Sequence, residues 1–188
     1  MYMWFLLACF QKKLMQNNSL MNAGPRVESD QLEWDLMTEL WTHNGELFTG
    51  VRISYWHHGP LEVECGIVNG VEHGECIQYY SDGRRIHVYR IYNNGKLDGV
   101  HTTWYPENVK DTEEHYSDGV LNGPYTKWIG GRAHPKIVSG QYVDGNKDGV
   151  WLYYSETNGN YLSRKVEYDM DSIIKETCYD GEGTAIDC

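Results

Sequence analysis

The ten residues Gly145-Asn146-Lys147-Asp148-Gly149-Val150-Trp151-Leu152-Tyr153-Tyr154 decide the fold. A glycine opens the stretch, a second glycine follows, and a large aromatic closes it. The first glycine recurs as Gly45, Gly70, Gly95, Gly119 and Gly145, and the second as Gly50, Gly74, Gly99, Gly123 and Gly149. The aromatic recurs as Tyr55, Tyr79, Trp104, Trp128 and Tyr154. A fourth column, Ile67, Tyr92, Tyr116 and Tyr142, stands three residues before the first glycines, and Tyr168 continues it. Four columns stepping by 24 to 26 residues mark a tandem array.

The period inside the unit separates strand from helix. Counted from the second glycine, positions +1 and +3 hold Val51 and Ile53, Glu75 and Ile77, Val100 and Thr102, Pro124 and Thr126, Val150 and Leu152, and position +5 is the aromatic. Positions +2 and +4 are mostly polar: Arg52 and Ser54, Cys76 and Gln78, His101 and Thr103. Alternation with period two places one set on each face of a strand. Asn93-Asn94-Gly95, Ser117-Asp118-Gly119 and Ser81-Asp82-Gly83 are turn sequences, because Asn, Asp and Gly tolerate φ > 0. Each unit is therefore expected to be two antiparallel strands. The chain reads as an all-β, elongated, open antiparallel meander of tandem β-hairpin repeats, with a short N-terminal helical or irregular segment.

The expected boundaries are an N-terminal apolar segment and linker at residues 1–26, five repeats at 27–168 and a degenerate C-terminal cap at 169–188. Ser29 to Trp41 admits two readings. Asp30 with Glu33 suggests a capping box, and Leu32, Leu36 and Leu40 share a helical face; alternatively Glu39 to Thr42 is a strand leading into Asn44-Gly45. The acidic Asp169, Asp171, Glu176 and Asp180 near the end can guard a sheet edge. The glycines are expected at chain reversals and where a neighbouring aromatic ring approaches the backbone.

Composition narrows the function. The chain carries 16 Lys+Arg against 27 Asp+Glu, a net charge of −11. That argues against nucleic acid and anionic lipid, and suits a partner with a basic patch. Fifteen Tyr and seven Trp suit surfaces that are half dry. Met1 to Phe10 is apolar but too short to span a bilayer. Its Leu6-Leu7-Ala8-Cys9 resembles a lipoprotein attachment box, so two localisations stand: cytoplasmic, or membrane-anchored through Cys9. Cys65 and Cys76 fall opposite each other on neighbouring strands, where a cross-strand disulfide or two free thiols fit.

Catalytic and metal motifs are sparse. Asp144 to Gly149 matches the first half of an EF-hand loop, but Ser155 stands where the bidentate Glu belongs, and the repeat already explains the glycines. The histidines, adjacent His57 and His58 included, do not fall at metal-ligand spacing. No nucleophile elbow, phosphate loop or zincin motif occurs. The expectation is a protein that is not an enzyme and needs no cofactor and no metal. The +2 and +4 face changes along the array and becomes aromatic in the late units. Tyr125, Lys127, Trp151 and Tyr153 are the expected partner contacts; alternatively the twisting sheet or the N-terminal segment covers that face.

Leu47-Phe48-Thr49-Gly50-Val51, Gln78-Tyr79-Tyr80-Ser81-Asp82-Gly83 and Tyr92-Asn93-Asn94-Gly95-Lys96-Leu97-Asp98-Gly99 resemble the MORN-repeat variant family, which includes YwqK-like antitoxin repeat proteins. The resemblance covers about residues 30 to 168. It departs at Glu107-Asn108, where a turn glycine is missing, and at Gly130 to Pro135, where the turn is longer. It implies an open sheet of hairpins, no cofactor, no catalysis, and a partner protein such as a cognate toxin. A lipid-anchored envelope or surface repeat protein with a scaffold role is the other function carried forward.

Overall fold

A computed structural model describes residues 24–130, 135–155 and 161–188 of the chain. The expectations for Met1 to Phe10, Cys9 and the linker before Gly24 lie outside the described residues, as does most of the Gly130 to Pro135 turn. The strands are β1 (Arg26–Glu28), β2 (Glu33–Asp35), β3 (Leu40–His43), β4 (Glu46–Leu47), β5 (Gly50–Tyr55), β6 (Leu61–Val68), β7 (Val71–Tyr79), β8 (Ile86–Asn93) and β9 (Lys96–Trp104). They continue as β10 (Lys110–Ser117), β11 (Val120–Leu121), β12 (Gly123–Trp128), β13 (Lys136–Val143), β14 (Asn146–Tyr154), β15 (Leu162–Asp169), β16 (Ser172–Tyr179) and β17 (Ala185–Ile186). From β5 to β17 each strand pairs antiparallel with its sequence neighbour in one 14-stranded sheet, with β11 a short branch on β10. β1 joins the same sheet parallel to β5, and β2, β3 and β4 form a small sheet of their own. The fold is all-β, and the long antiparallel meander of hairpins is as the alternation predicts.

The first glycine of each unit closes a two-residue turn. Asn94 and Gly95 both have positive φ (49° and 80°) between the paired Asn93 and Lys96. That is a type I′ turn, whose twist matches the strands it joins. The same geometry recurs at Asn44-Gly45, Asn69-Gly70, Asp118-Gly119 and Asp144-Gly145. These turns stack. The backbone N–H of Gly70, Gly95, Gly119 and Gly145 donates to the carbonyl of Phe48, Glu72, Leu97 and Leu121 respectively, at 2.7–2.8 Å. A sixth turn, Met170-Asp171, keeps the positive φ values without glycine, and Asp171 N–H donates to Lys147 O at 2.8 Å.

Three of the second glycines, Gly74, Gly99 and Gly149, sit at a bulge. Cys65 pairs Cys76 and Ile67 pairs Glu72, so Gly66 faces three residues, His73, Gly74 and Glu75. The same mismatch recurs between β8 and β9 and between β13 and β14. Gly74, Gly99, Gly123 and Gly149 take positive φ. An aromatic neighbour crowds Gly50, where a Cβ would press on Phe48; at Gly99 and Gly123 the crowding atoms belong to Ile91 and His115.

Burial follows the +1, +3, +5 ladder in the early units: Val51, Ile53, Ile77, Tyr79 and Thr102 are buried. Ile77, Tyr79, Ile86 and Tyr89 form one core, flanked by Leu61, Ile91, Val100 and Trp104. A second cluster, Val27, Leu32, Phe48 and Ile67 with Trp41 against it, closes the N-terminal end.

One reading needs correction, and two other segments gain detail. Ser29 to Trp41 is not an α-helix: only Ser29–Gln31 makes a 3-10 turn, without a side-chain cap, and β2 and β3 follow. Leu32 is buried while Leu36 is exposed, because Leu32 precedes β2 and packs in the N-terminal cluster, whereas Leu36 lies past β2 in the turn that leads to β3. The strand alternative holds, entered from Glu39 at φ 55°. Ser172–Tyr179, in the glycine-less C-terminal cap, forms a full eight-residue strand and adds one more hairpin arm. At Glu107-Asn108 the missing glycine is replaced by Asn108 itself, at φ 63°.

Cys65 and Cys76 are register partners and are disulfide-bonded. A second disulfide, Cys178–Cys188, ties the C-terminal tail to β16; its cysteines are not separated by a repeat-type turn, so spacing did not reveal it.

Met170 is the one turn residue of the series that is neither Gly, Asn nor Asp, yet it sits at φ 46°. Met170→Asn should raise stability by roughly 0.5–1 kcal/mol, because Asn tolerates the left-handed region better. A shift of the urea midpoint to higher concentration at unchanged slope is the expected result.

Candidate functional site

β12 to β15 bring the late-unit residues into one aromatic plate. Tyr125 is opposite Gly140, and Trp151 is opposite Val166. One row across the sheet runs Lys127, Val138, Tyr153, Arg164. Three of the four expected contact residues therefore converge: Tyr125 stacks on Trp151 with centroids 5.5 Å apart, and Trp151 lies 6.5 Å from Tyr153. Lys127, half-buried and opposite Val138, shares the row of Tyr153 two strands away.

Trp151 does not meet the expectation of an exposed hot spot. It is 1% exposed. Its Nε1 donates to Gln141 O at 3.1 Å, and Tyr142 meets it edge-on at 5.0 Å. The reason lies across the ladder. Gly140 has no side chain, and the indole fills that space: a Cβ on Gly140 would lie 2.2 Å from Trp151 Cδ2. The large ring is thus pulled onto the sheet, and burial switches from +1, where Val150 is exposed, to +2.

Four members of the plate were not singled out from sequence. Tyr142 and Tyr168 belong to the column that closes each unit, and they meet the tryptophan at 5.0 and 6.3 Å. Lys147, near the start of β14, holds its ammonium 4.6 Å from the Trp151 centroid and 5.3 Å from that of Tyr168, and donates to Tyr153 Oη at 3.2 Å. Arg164 covers Tyr153 at 4.4 Å and pairs with Glu176 at 3.0 Å. Only the pairing register reveals these four, since the cations come from different strands. Cation–π contacts of this kind contribute about 0.5–1 kcal/mol each at exposed sites.

The plate continues toward β9 and β10 as a polar group. Glu114 accepts from Tyr116 Oη at 2.9 Å and lies 3.1 Å from His101 Nδ1. The His101 hydrogen bond, ahead of the opposing effect of burial, lowers the Glu114 pKa from its usual 4.5. Burial first, and nearby carboxylates and phenols second, push the Tyr125 hydroxyl up to about 12. The Tyr125 hydroxyl therefore stays protonated at neutral pH and keeps its proton as a donor.

The repeat-defining aromatics serve structure. Tyr79 is buried and donates to Glu64 at 2.7 Å, Trp104 packs against the same core, Lys110 lies over Trp128, Tyr154 is half-buried and Tyr55 is exposed. The next residue along adds a stitch between units: Tyr80 and Tyr105 donate to the carbonyls of Trp104 and Trp128. Asp144 to Gly149 forms a hairpin turn and the start of β14. Asp144 Oδ1 accepts from Asn122 at 3.2 Å. Among the described residues the one cluster of metal-type ligands is Glu176, Cys178 and Cys188, whose two sulfurs are joined as a disulfide.

No protein-family model matches the chain, and no curated protein matches it.

Gly140→Ala should destabilise the protein by about 1–3 kcal/mol through overpacking against Trp151, and Trp151→Ala by about 3–5 kcal/mol through the cavity; urea unfolding checks both. Glu114, whose folded pKa is lowered, contributes stability that is present above its unfolded value and lost as pH falls through the folded one. Glu114→Gln should therefore be less stable than wild type at pH 7, and the difference should close as the pH drops well below 4.5. Denaturation curves at a series of pH values give the comparison.

Proposed function

We propose that the protein is a non-enzymatic binding module of the MORN-variant kind, antitoxin-like, that captures a partner protein on the sheet face of its late repeats. The aromatic plate carries the reading. Tyr125, Tyr142, Tyr153 and Tyr168 are half-buried around a buried tryptophan, with Lys147 and Arg164 laid across the rings. Rings held by such packing lose little freedom on binding, and Tyr and Arg concentrate binding energy at interfaces. Lys127 and Tyr153 stand in the row nearest the solvent-facing cations, and Trp151 acts from beneath as the support of the plate.

The test is co-expression with the protein encoded beside this one, a candidate toxin. Tyr153→Ala with Arg164→Ala should weaken the complex at least about tenfold, or 1.4 kcal/mol, while the thermal midpoint changes little. Wild-type affinity in that double variant would remove the plate from the interface.

One observation favours a second reading. Cys65–Cys76 and Cys178–Cys188 are both disulfides, which persist in oxidising compartments. Cys9 is then the odd cysteine of the five, and it follows Leu6-Leu7-Ala8. That pattern supports a lipid-anchored envelope or surface repeat protein. Incorporation of labelled palmitate that Cys9→Ala abolishes is the expected result in that case. A full-length chain that stays in the aqueous phase with reduced cysteines would favour the cytoplasmic module.

A further inference from the structure

The small sheet ahead of the first full repeat ends in a tip that the repeat pattern does not require. Between Asp35 of β2 and Leu40 of β3 the chain turns through Leu36, Met37, Thr38 and Glu39. Leu36 is 83% and Met37 92% exposed, more than any other large apolar side chain among the described residues. The tip is nevertheless ordered by its own bonds. Asp35 Oδ1 accepts from the N–H of Met37 at 2.7 Å and of Thr38 at 3.2 Å, and Glu39 N–H donates to Asp35 O at 2.8 Å. Its base is fixed to the main sheet. Trp34 packs on Trp41 at 4.9 Å, Trp41 Nε1 donates to Glu72, the Arg52 guanidinium lies over Trp41 at 4.8 Å, and Trp41 N–H donates to Gly70 O.

Two bare apolar side chains on a rigid stem are costly in water, and here they are held out rather than folded in. The charge on the tip and its own segment has one sign, with Arg52 at the base. From Val27 to Val51 the chain has six acidic residues and neither Lys nor Arg, and Glu33, Asp35 and Glu39 beside the tip are all exposed. We propose that the Asp35–Glu39 tip is a docking knob for a partner protein whose surface presents an apolar groove edged with lysine or arginine. Leu36 and Met37 enter the groove, and the carboxylates meet its basic rim. The carboxylates disfavour a bilayer, where they would face anionic headgroups or lose their water. This surface is separate from the late-repeat plate and stands or falls independently of it.

The experiment titrates the full-length protein with a synthetic amphipathic Leu/Lys helical peptide, and with its Leu/Glu counterpart, by calorimetry and backbone NMR. The Leu/Lys peptide should bind, shift the amides of residues 34–40, and protect Met37 from peroxide oxidation that is fast in the free chain. The L36S/M37S variant, which keeps every charge, should bind at least about tenfold more weakly with an unchanged thermal midpoint. Equal binding by that variant, or no binding by wild type, overturns the proposal. So does slow oxidation of Met37 in the free chain, which would mean another part of the chain covers it. Self-association, or adsorption to phosphatidylcholine vesicles, that L36S/M37S abolishes would replace it with a second copy or a membrane.

Discussion

The stacking of one hairpin turn on the next is the constraint from which the rest of this protein follows. A type I′ turn leaves its glycine N–H pointing along the array, and that group finds the carbonyl of the unit before it. The bond needs no side chain, so the sequence between the turns is free to vary. It does need a backbone at positive φ in both turn residues, which is why Asn or Asp followed by Gly recurs while neighbouring positions drift. On the opposite margin the tyrosine hydroxyls of Tyr80 and Tyr105 reach the next unit's carbonyls and hold the same spacing.

Among the described residues no second layer covers the face of the long sheet, and its composition answers that. Among the described residues two core clusters lie in the early units. Elsewhere tyrosine and tryptophan cover the sheet with their rings and keep a polar tip in contact with water or a carboxylate. Tyr79 with Glu64 and Tyr89 with Glu75 illustrate the arrangement: burial raises both phenol pKa values, so each hydroxyl keeps the proton it donates. In the late units the same chemistry produces the plate around Trp151. The binding function proposed above rests on the same rings, since half-buried Tyr beside Lys and Arg is the chemistry that interfaces favour.

The ends of the array are treated differently. At the start, β1 lies parallel on β5 and the small sheet packs Trp41 against Ile67 and Phe48. At the finish, β17 pairs only with the last residues of β16, and the Cys178–Cys188 disulfide holds it there. Glu176, pinned by Arg164, places charge on that last full strand, a common defence of an exposed edge.

Period and turn chemistry were enough to read the strands, the hairpin turns and the register that sets Cys65 against Cys76. Each depends on residues close in sequence, whose φ preferences and alternation act locally. The second glycines were legible as positions, but the bulges at three of them were not, because the mismatch of one residue against three exists only once two strands are paired. Ser29 to Trp41 misled because Leu32, Leu36 and Leu40 have helical spacing, while the contacts that select a strand, Trp41 on Gly70 and on the Phe48 cluster, come from residues far along the chain. The plate divides the same way. Tyr125, Trp151 and Tyr153 could be named from an aromatic-rich face. That Trp151 is buried, and that Lys147, Arg164, Tyr142 and Tyr168 surround it, was decided by Gly140 across the ladder: a missing side chain on one strand fixes where the largest side chain of the next one lies.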